Sequence, residues 1–448
     1  MFLKKILLIF PTSFEVNVVP PLGISIIAAC LRQRGWDVEL ADLTVERGRH
    51  FDWEQYSMVG MTLLCVNFRQ GMDLAREIRN GNKNVFIAAG GPFADTCTKE
   101  VLEGRLFDAV IHGEGETVFP SLVCAIENGS DLSIVKGLSF YQNGNIVRTQ
   151  NPLFIEDLDA LPFPAYDLYQ MNLYGEYSVM ASRGCPFYCV FCTRGPAETK
   201  HVRHLSPGRV IDWIVYLISN YGSREVRFID STFTLDQRWA EEICDRIISR
   251  RLRFHWTCQT RADCLSGVLL EKMKKAGCTM VTLGAESGND QILNSLEKGF
   301  TRADLRNAAR LFKDFRAPQL NLNFIIGHPW DTRETILETV ALAKELRRTC
   351  SARYKLFLLV PFPGTELWNN ADKYGLRISK DWEKYCKYSF MGNSHLVEAT
   401  YGTREFSREE LTRLYHELDN RWFSLVVRIV KKTQQFIRER NNLIKTKN

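Results

Sequence analysis

The stretch ASRGCPFYCVFC, residues 181–192, places Cys185, Cys189 and Cys192 in a C-x3-C-x2-C array. Three thiolates within eight residues have the look of metal ligands, and the unequal gaps put three sulfurs on the concave side of one tight loop. Such a loop suits three corners of a cubane 4Fe-4S cluster and leaves the fourth iron without a protein ligand. An iron with an open position can bind and activate something. A structural zinc site is the alternative, and it needs a fourth Cys or His from elsewhere in the chain. Disulfide pairing is disfavoured: 13 cysteines scattered through 448 residues with no secretory leader imply a reducing, cytoplasmic compartment. Cys30, Cys65, Cys124, Cys244, Cys278 and Cys350 fall in apolar periodic stretches and read as small core residues.

Working outward, residues 178–372 alternate strand and helix patterns. Strands are expected at Ser178 to Ser182, Glu225 to Ile229, Phe254 to Gln259, Met280 to Ala285, Leu320 to Ile326 and Tyr354 to Val360, with amphipathic helical stretches between them. Six strand–helix repeats make a partial (βα)6 barrel, whose chemistry belongs at the carboxyl ends of the strands. The cysteine loop follows the first strand at that end. Asp230 in DSTFTLD, Arg261 in QTRAD, Glu286 in GAESGND and Trp330 in GHPWDT follow later strands there. Capping is the plain use for Asp230, and pairing with Asp263 the plain use for Arg261.

Residues 1–130 alternate likewise, with strands expected at Lys5 to Phe10, Asp37 to Ala41, Met58 to Leu63, Val85 to Ala89 and Ala109 to His112. This pattern implies a doubly wound, Rossmann-like parallel sheet. Its glycine-rich turns, PPLG with Gly23, AGGPFAD with Gly90 and Gly91, and HGEGE with Gly113 and Glu114, fall where such sheets receive bulky ligands. Residues 131–177 read as a connector: a hairpin turning at Asn143 and Gly144, then an extended proline-containing segment. The fold class is therefore α/β throughout, closed by a small, mainly helical region at 373–448 in which Ser407 and Glu410 resemble a capping box.

The cysteine array, with aromatic Phe191 directly before the third cysteine, resembles the signature of the radical S-adenosylmethionine (SAM) enzymes. The turns of residues 1–130, in their order, resemble the cobalamin-binding domain that precedes the catalytic domain in one large set of those enzymes. The resemblance implies a 4Fe-4S cluster on the three cysteines, SAM on the open iron, Phe191 beside the adenine, and Glu286 receiving the ribose hydroxyls. Arg261 then faces the SAM carboxylate and Asp230 holds SAM or substrate, while Trp330, a departure from the family's usual glycine-proline turn, is read as lining the substrate or adenine pocket. It further implies cobalamin at Gly23, Gly90, Gly91, Gly113 and Glu114. The D-x-H-x-x-G motif of many cobalamin domains is missing, and neither His50 nor His112 stands in such a context. Methyl transfer from methylcobalamin to an unactivated carbon is the preferred outcome. Ring closure or oxidation is the alternative, as is a first domain serving only as scaffold. Outside the family, the rival is a zinc-stabilised binding protein.

Composition sets bounds on partners. A chain 45% hydrophobic and 25% charged is an ordinary globular sequence, and a net charge of +6 over 58 basic and 52 acidic residues does not imply nucleic acid. The opening MFLKKILLIFP has too short an apolar run for a leader and reads as a buried first strand. No run approaches the roughly 20 apolar residues of a membrane span. Residues 424–448 are basic and amphipathic; a helix packed on the barrel is the default, with peripheral contact to anionic lipid as the second reading. The expected partners are a small-molecule or lipid-like substrate and a reductase such as flavodoxin or ferredoxin.

Overall fold

The computed structural model describes residues 5–12, 19–193, 201–386 and 397–418. Strand β1 (Lys5–Phe10) is almost wholly buried, as its run of aliphatic residues requires. It pairs in parallel with β2 (Val38–Asp42) and β3 (Tyr56–Thr62), and β4 (Phe86–Gly90) and β5 (Ala109–Ile111) extend the sheet beyond β3. The order β2-β1-β3-β4-β5 is that of the flavodoxin-like doubly wound sheet. Gly60 at its centre permits close packing: a Cβ there would lie 2.5 Å from both Leu8 and Phe119, the latter on the helix Gly115–Glu127. The hairpin β6 (Leu138–Gln142) and β7 (Asn145–Arg148), read from the sequence as part of the connector, joins this sheet antiparallel to β5. Its turn has φ of 51° at Asn143 and 82° at Gly144, the two positive values of a type I′ turn.

The second sheet holds six parallel strands in the order β15-β14-β13-β12-β11-β8. They are β8 (Tyr177–Val179), β11 (Glu225–Phe228), β12 (His255–Thr260), β13 (Cys278–Glu286), β14 (Gln319–Ile326) and β15 (Arg353–Leu358). Between β8 and β11 stand two short antiparallel strands, β9 (Ser182–Arg183) and β10 (Arg203–His204). The crossover helices carry clear start and stop signals. In Pro207–Tyr221, Ser206 accepts a hydrogen bond from the Arg209 amide at 3.1 Å, Pro207 opens the first turn, and Gly222 closes the helix at φ +63°.

The remaining described residues seal the junction of the two sheets. Helix Trp382–Cys386 sets Trp382 against Phe93 and Phe68, with ring centroids 5.0 and 6.1 Å away. Strands β16 (Arg377–Ile378) and β17 (Tyr401–Gly402) pair antiparallel, and the Tyr401 hydroxyl donates to the Gly327 carbonyl at the end of β14. The next helix begins with the capping box read from the sequence: the Glu410 amide donates to Ser407 Oγ at 3.2 Å and the Ser407 amide to Glu410 Oε2 at 2.7 Å. Residues 424–448, read as a basic amphipathic helix, lie outside the described residues. Among those described, no helix is long and apolar enough to cross a membrane.

Candidate active site

The cysteine loop springs from a two-rung hairpin in which Arg183 pairs with Arg203 and Ser182 with His204. Gly184, at φ +98°, turns the chain out of β9. Past it, the Cys192 amide donates to the Cys189 carbonyl at 3.0 Å, a tight turn that keeps these two thiols on one side. The backbone of Val190 is tied to both flanks of the barrel mouth. Its amide donates to the Leu296 carbonyl at 3.3 Å and its carbonyl accepts from the Leu367 amide at 3.1 Å.

All three cysteines line one cavity of about 400 Å³, whose wall also includes Phe191, Arg261, Glu286 and Lys298. Burial pushes the Cys189 thiol up, opposed by the nearby Lys298 and Arg261 cations. Cys185 and Cys189 are free thiols. Among the described residues no three His, Cys, Asp or Glu side chains are already gathered about one point. The three thiols on the wall of one cavity suit the corners of a cluster of several irons.

Glu286 ends β13 at a bulge in the pairing with β14, with φ of +58°. A non-glycine residue in that region costs on the order of 1 kcal/mol or more, and such strain clusters at ligand sites. The bulge turns a buried carboxylate toward Lys298, whose Nζ lies 3.1 Å from Oε1. Arg261 does pair with Asp263, through two hydrogen bonds of 2.9 Å, and it also donates to the Lys298 carbonyl. Its guanidinium lies 3.5 Å over the Phe187 ring, and Nη1 is buried without a partner. An unmet guanidinium donor costs about 1–3 kcal/mol, which an anionic ligand in the cavity would recover.

Three residues stand differently from their sequence reading. Asp230 does not face the cavity mouth: it is buried beneath the cysteine loop, accepting from Ser182 Oγ and, at 3.3 Å, from the Ala181 amide. Desolvation pushes its carboxyl up to about 6. Nor does it cap a helix, since Asp236 caps the one that follows. Trp330 packs edge-on against Tyr374 at 5.5 Å, away from the cavity wall. Glu114, read as a cofactor contact, is engaged by Arg203 at 3.0 Å to each oxygen, by Arg183 at 2.8 Å and by the Ile155 amide at 2.6 Å. No lone pair is left for a ligand, because two cations from the barrel compete for the same carboxylate.

The other first-domain residues divide between ligand-ready and self-packed. Gly23, in the first turn of helix Leu22–Gln33, has no atom within 4 Å of where a Cβ would stand, leaving its face open. Gly90 has only Ile111 nearby, at 3.8 Å. Gly91 and Gly113 have φ of +92° and +73°, and a Cβ would meet the Leu63 carbonyl at 2.9 Å or Pro152 at 2.8 Å, so glycine there serves the chain's own turns. His112 is held between Asp95 and Ser139 Oγ, the latter at 2.8 Å, so both ring nitrogens are in use. The open face at Gly23 and Gly90, at the carboxyl end of the sheet, fits the close approach of a corrinoid.

Lys298 and His328 are additions to the sequence reading. Lys298 lies twelve residues beyond Glu286, and nothing in the local pattern sets it apart from a surface lysine. His328 is buried, burial holds its pKa below the usual histidine value, and neither ring nitrogen makes a hydrogen bond. Its ring lies 6.3 Å from that of Phe191.

A parallel half-barrel with three thiols, an aromatic ring and an acidic anchor around one cavity defines a radical SAM enzyme. The Radical SAM superfamily model matches residues 179–343 and the B12 binding domain model residues 16–123. An uncharacterized methyltransferase of Pyrococcus horikoshii is 33% identical over 434 residues, spanning 92% of this chain and 91% of its own. An anaerobic magnesium-protoporphyrin IX monomethyl ester cyclase of Synechocystis is 28% identical over 66% of this chain and 62% of its own. Among solved structures, the radical SAM methyltransferase TsrM from Kitasatospora setae, with cobalamin and a 4Fe-4S cluster bound, superposes with a TM-score of 0.71. That match has 20% identity and covers 85% of this chain and 80% of that one. The chain belongs to the cobalamin-binding radical SAM family, whose cofactors are a 4Fe-4S cluster, SAM and cobalamin. Family membership removes the zinc-stabilised binding protein from consideration.

Proposed function

We propose that this enzyme methylates an unactivated carbon of a small-molecule substrate. The observation that carries the reading is the convergence of Cys185, Cys189, Cys192, Phe191, Arg261 and Glu286 on one cavity beyond the strand ends. When bound, the cofactors supply SAM homolysis at the open iron, hydrogen abstraction by the 5′-deoxyadenosyl radical, and a methyl group from cobalamin. The protein's own residues bind and orient. The three thiolates hold the cluster, and Phe191 offers its ring to the adenine. Glu286 keeps one oxygen on Lys298 and turns the other to the ribose hydroxyls. Arg261 Nη1, unmet in the protein, donates to the SAM carboxylate. Gly23 and Gly90 border the corrinoid, without Glu114.

A cytoplasmic setting with a flavodoxin- or ferredoxin-type reductant suits the free thiols of Cys185 and Cys189. The similarity to the Synechocystis protein, named as a cyclase, favours a second reading, oxidative ring closure on the same site. Product analysis separates the two. Anaerobically reconstituted enzyme should hold about four irons per chain and retain hydroxocobalamin through gel filtration. Methylation yields 5′-deoxyadenosine together with S-adenosylhomocysteine, whereas cyclisation yields 5′-deoxyadenosine alone. A brown protein that loses the corrinoid on the column would exclude the methylase.

A further inference from the structure

The two arginines that form the base rung of the cysteine loop are both held by the other domain. Arg183 stands two residues before Cys185 and pairs across the hairpin with Arg203. Arg183 donates to Glu114 at 2.8 Å and to Glu116, and Arg203 donates to both oxygens of Glu114 at 3.0 Å. Glu114 is the N-cap of the helix Gly115–Glu127 that follows β5, and Glu116 lies in that helix's first turn. The connector is bound into the same cluster: the Ile155 amide donates to Glu114 at 2.6 Å and its carbonyl accepts from Arg203 at 2.6 Å. All four charged side chains are nine-tenths buried or more. Two carboxylates face two guanidiniums, so the cluster is neutral, and each group holds the others in fixed geometry through paired, charge-assisted hydrogen bonds.

We infer that Glu114 and Glu116 are positioning residues for the iron–sulfur loop, acting through Arg183 and Arg203. A tie meant only to join two domains has no need to end on the rung from which the ligand loop departs. Here the carboxylates fix both chain directions at the loop's root. The first domain thereby sets where the thiols stand relative to Glu286 and Arg261 across the cavity. The inference rests on the cysteines carrying a cluster.

The test compares full-length Arg183→Met and Arg183→Lys with wild type after reconstitution with iron and sulfide. Each is measured for iron per chain, thermal midpoint, the EPR spectrum of the reduced cluster with and without SAM, and the KM for SAM. Arg183→Met should retain iron yet raise the KM for SAM about tenfold or more and blunt the SAM-induced EPR change, because a small displacement of the open iron is costly. Arg183→Lys should recover part of both. A lower thermal midpoint with a wild-type KM and EPR response would reduce the cluster to interface glue and overturn the inference. If Arg183→Met does not fold, Glu116→Gln, which leaves the Glu114 bonds in place, must show the same two changes to a smaller degree, and their absence overturns it equally. Wild type that assembles no SAM-responsive cluster would sink the radical SAM reading instead.

Discussion

Both sheets present polar residues at the carboxyl ends of their strands, but the two ends use them in opposite ways. In the first domain most of these polar groups satisfy one another, with the Thr44 hydroxyl just past β2 a buried exception. Asp95, His112 and Ser139 form a buried chain across three neighbouring segments, Asp42 accepts from Tyr174 at 3.0 Å, and Glu114 is saturated by cations from the barrel. In the barrel a guanidinium nitrogen and both nitrogens of a buried histidine are left unmet, beside a strained acidic residue on the cavity that the three cysteines line. Buried polar groups without partners cost free energy, so a protein retains them where a ligand supplies the partner. The polar cluster at the first domain's strand ends reads as architecture and that of the barrel as chemistry.

That contrast breaks most severely at Cys189. Cys189→Ala should abolish cluster assembly, with iron falling from about four per chain to near zero and no 5′-deoxyadenosine formed; retention of either removes the cysteine triad from the mechanism. Next is Glu286→Gln. The neutral amide leaves Lys298 buried without its counter-charge, at a cost of about 3–5 kcal/mol, and weakens the ribose anchor. The KM for SAM should rise by about tenfold or more while the iron content stays at the wild-type level. A variant of normal SAM affinity would show the pair to be structural only.

On the first domain's side, His112→Ala should do the reverse. It opens a small cavity and removes the buried hydrogen-bond partner of Asp95, which keeps only Arg148 at 4.0 Å, costing about 1–3 kcal/mol by urea unfolding. Among chains that remain folded, the KM for SAM should not move. A shift in that KM with stability preserved would mean the chain of Asp95, His112 and Ser139 reaches the cavity.

The sequence announces these two ends unequally, for physical reasons. Hydrophobic runs and helix caps are local, which is why all eleven parallel strands lie within two residues or so of their expected starts. The three cysteines of the array are local as well. The place of Glu286 at a strand end is legible because its strand and turn lie within one short segment. The partners of Glu114 were not: Arg183 and Arg203 lie 69 and 89 residues away, and no short pattern encodes which carboxylate meets which cation. Lys298 was missed for the same reason. The hairpin β6–β7 shows the boundary case, its Asn-Gly turn written in two residues and its docking on β5 written nowhere nearby.

Asp230 tests the contrast from within the barrel, for it is a strand-end carboxylate used as architecture. Its carboxyl is raised from 3.8 to about 6, chiefly because burial disfavours the charged form, with the bonds from Ser182 and Ala181 pulling the other way. A raised folded-state value means the unfolded chain ionises first. Stability from this group is therefore fully present below about pH 4, declines as the pH rises toward about 6, and is flat above that, the total change being up to about 3 kcal/mol at roughly 1.4 kcal/mol per pH unit. Asp230→Asn removes the titration and keeps one acceptor for the Ser182 hydroxyl. Its urea midpoint should change less between about pH 4 and about pH 7 than that of wild type, with iron binding unaffected. An unchanged slope would place the titrating group elsewhere. A lost cluster would show that the carboxylate, though turned away from the cavity, sets the root of the cysteine loop through Ser182.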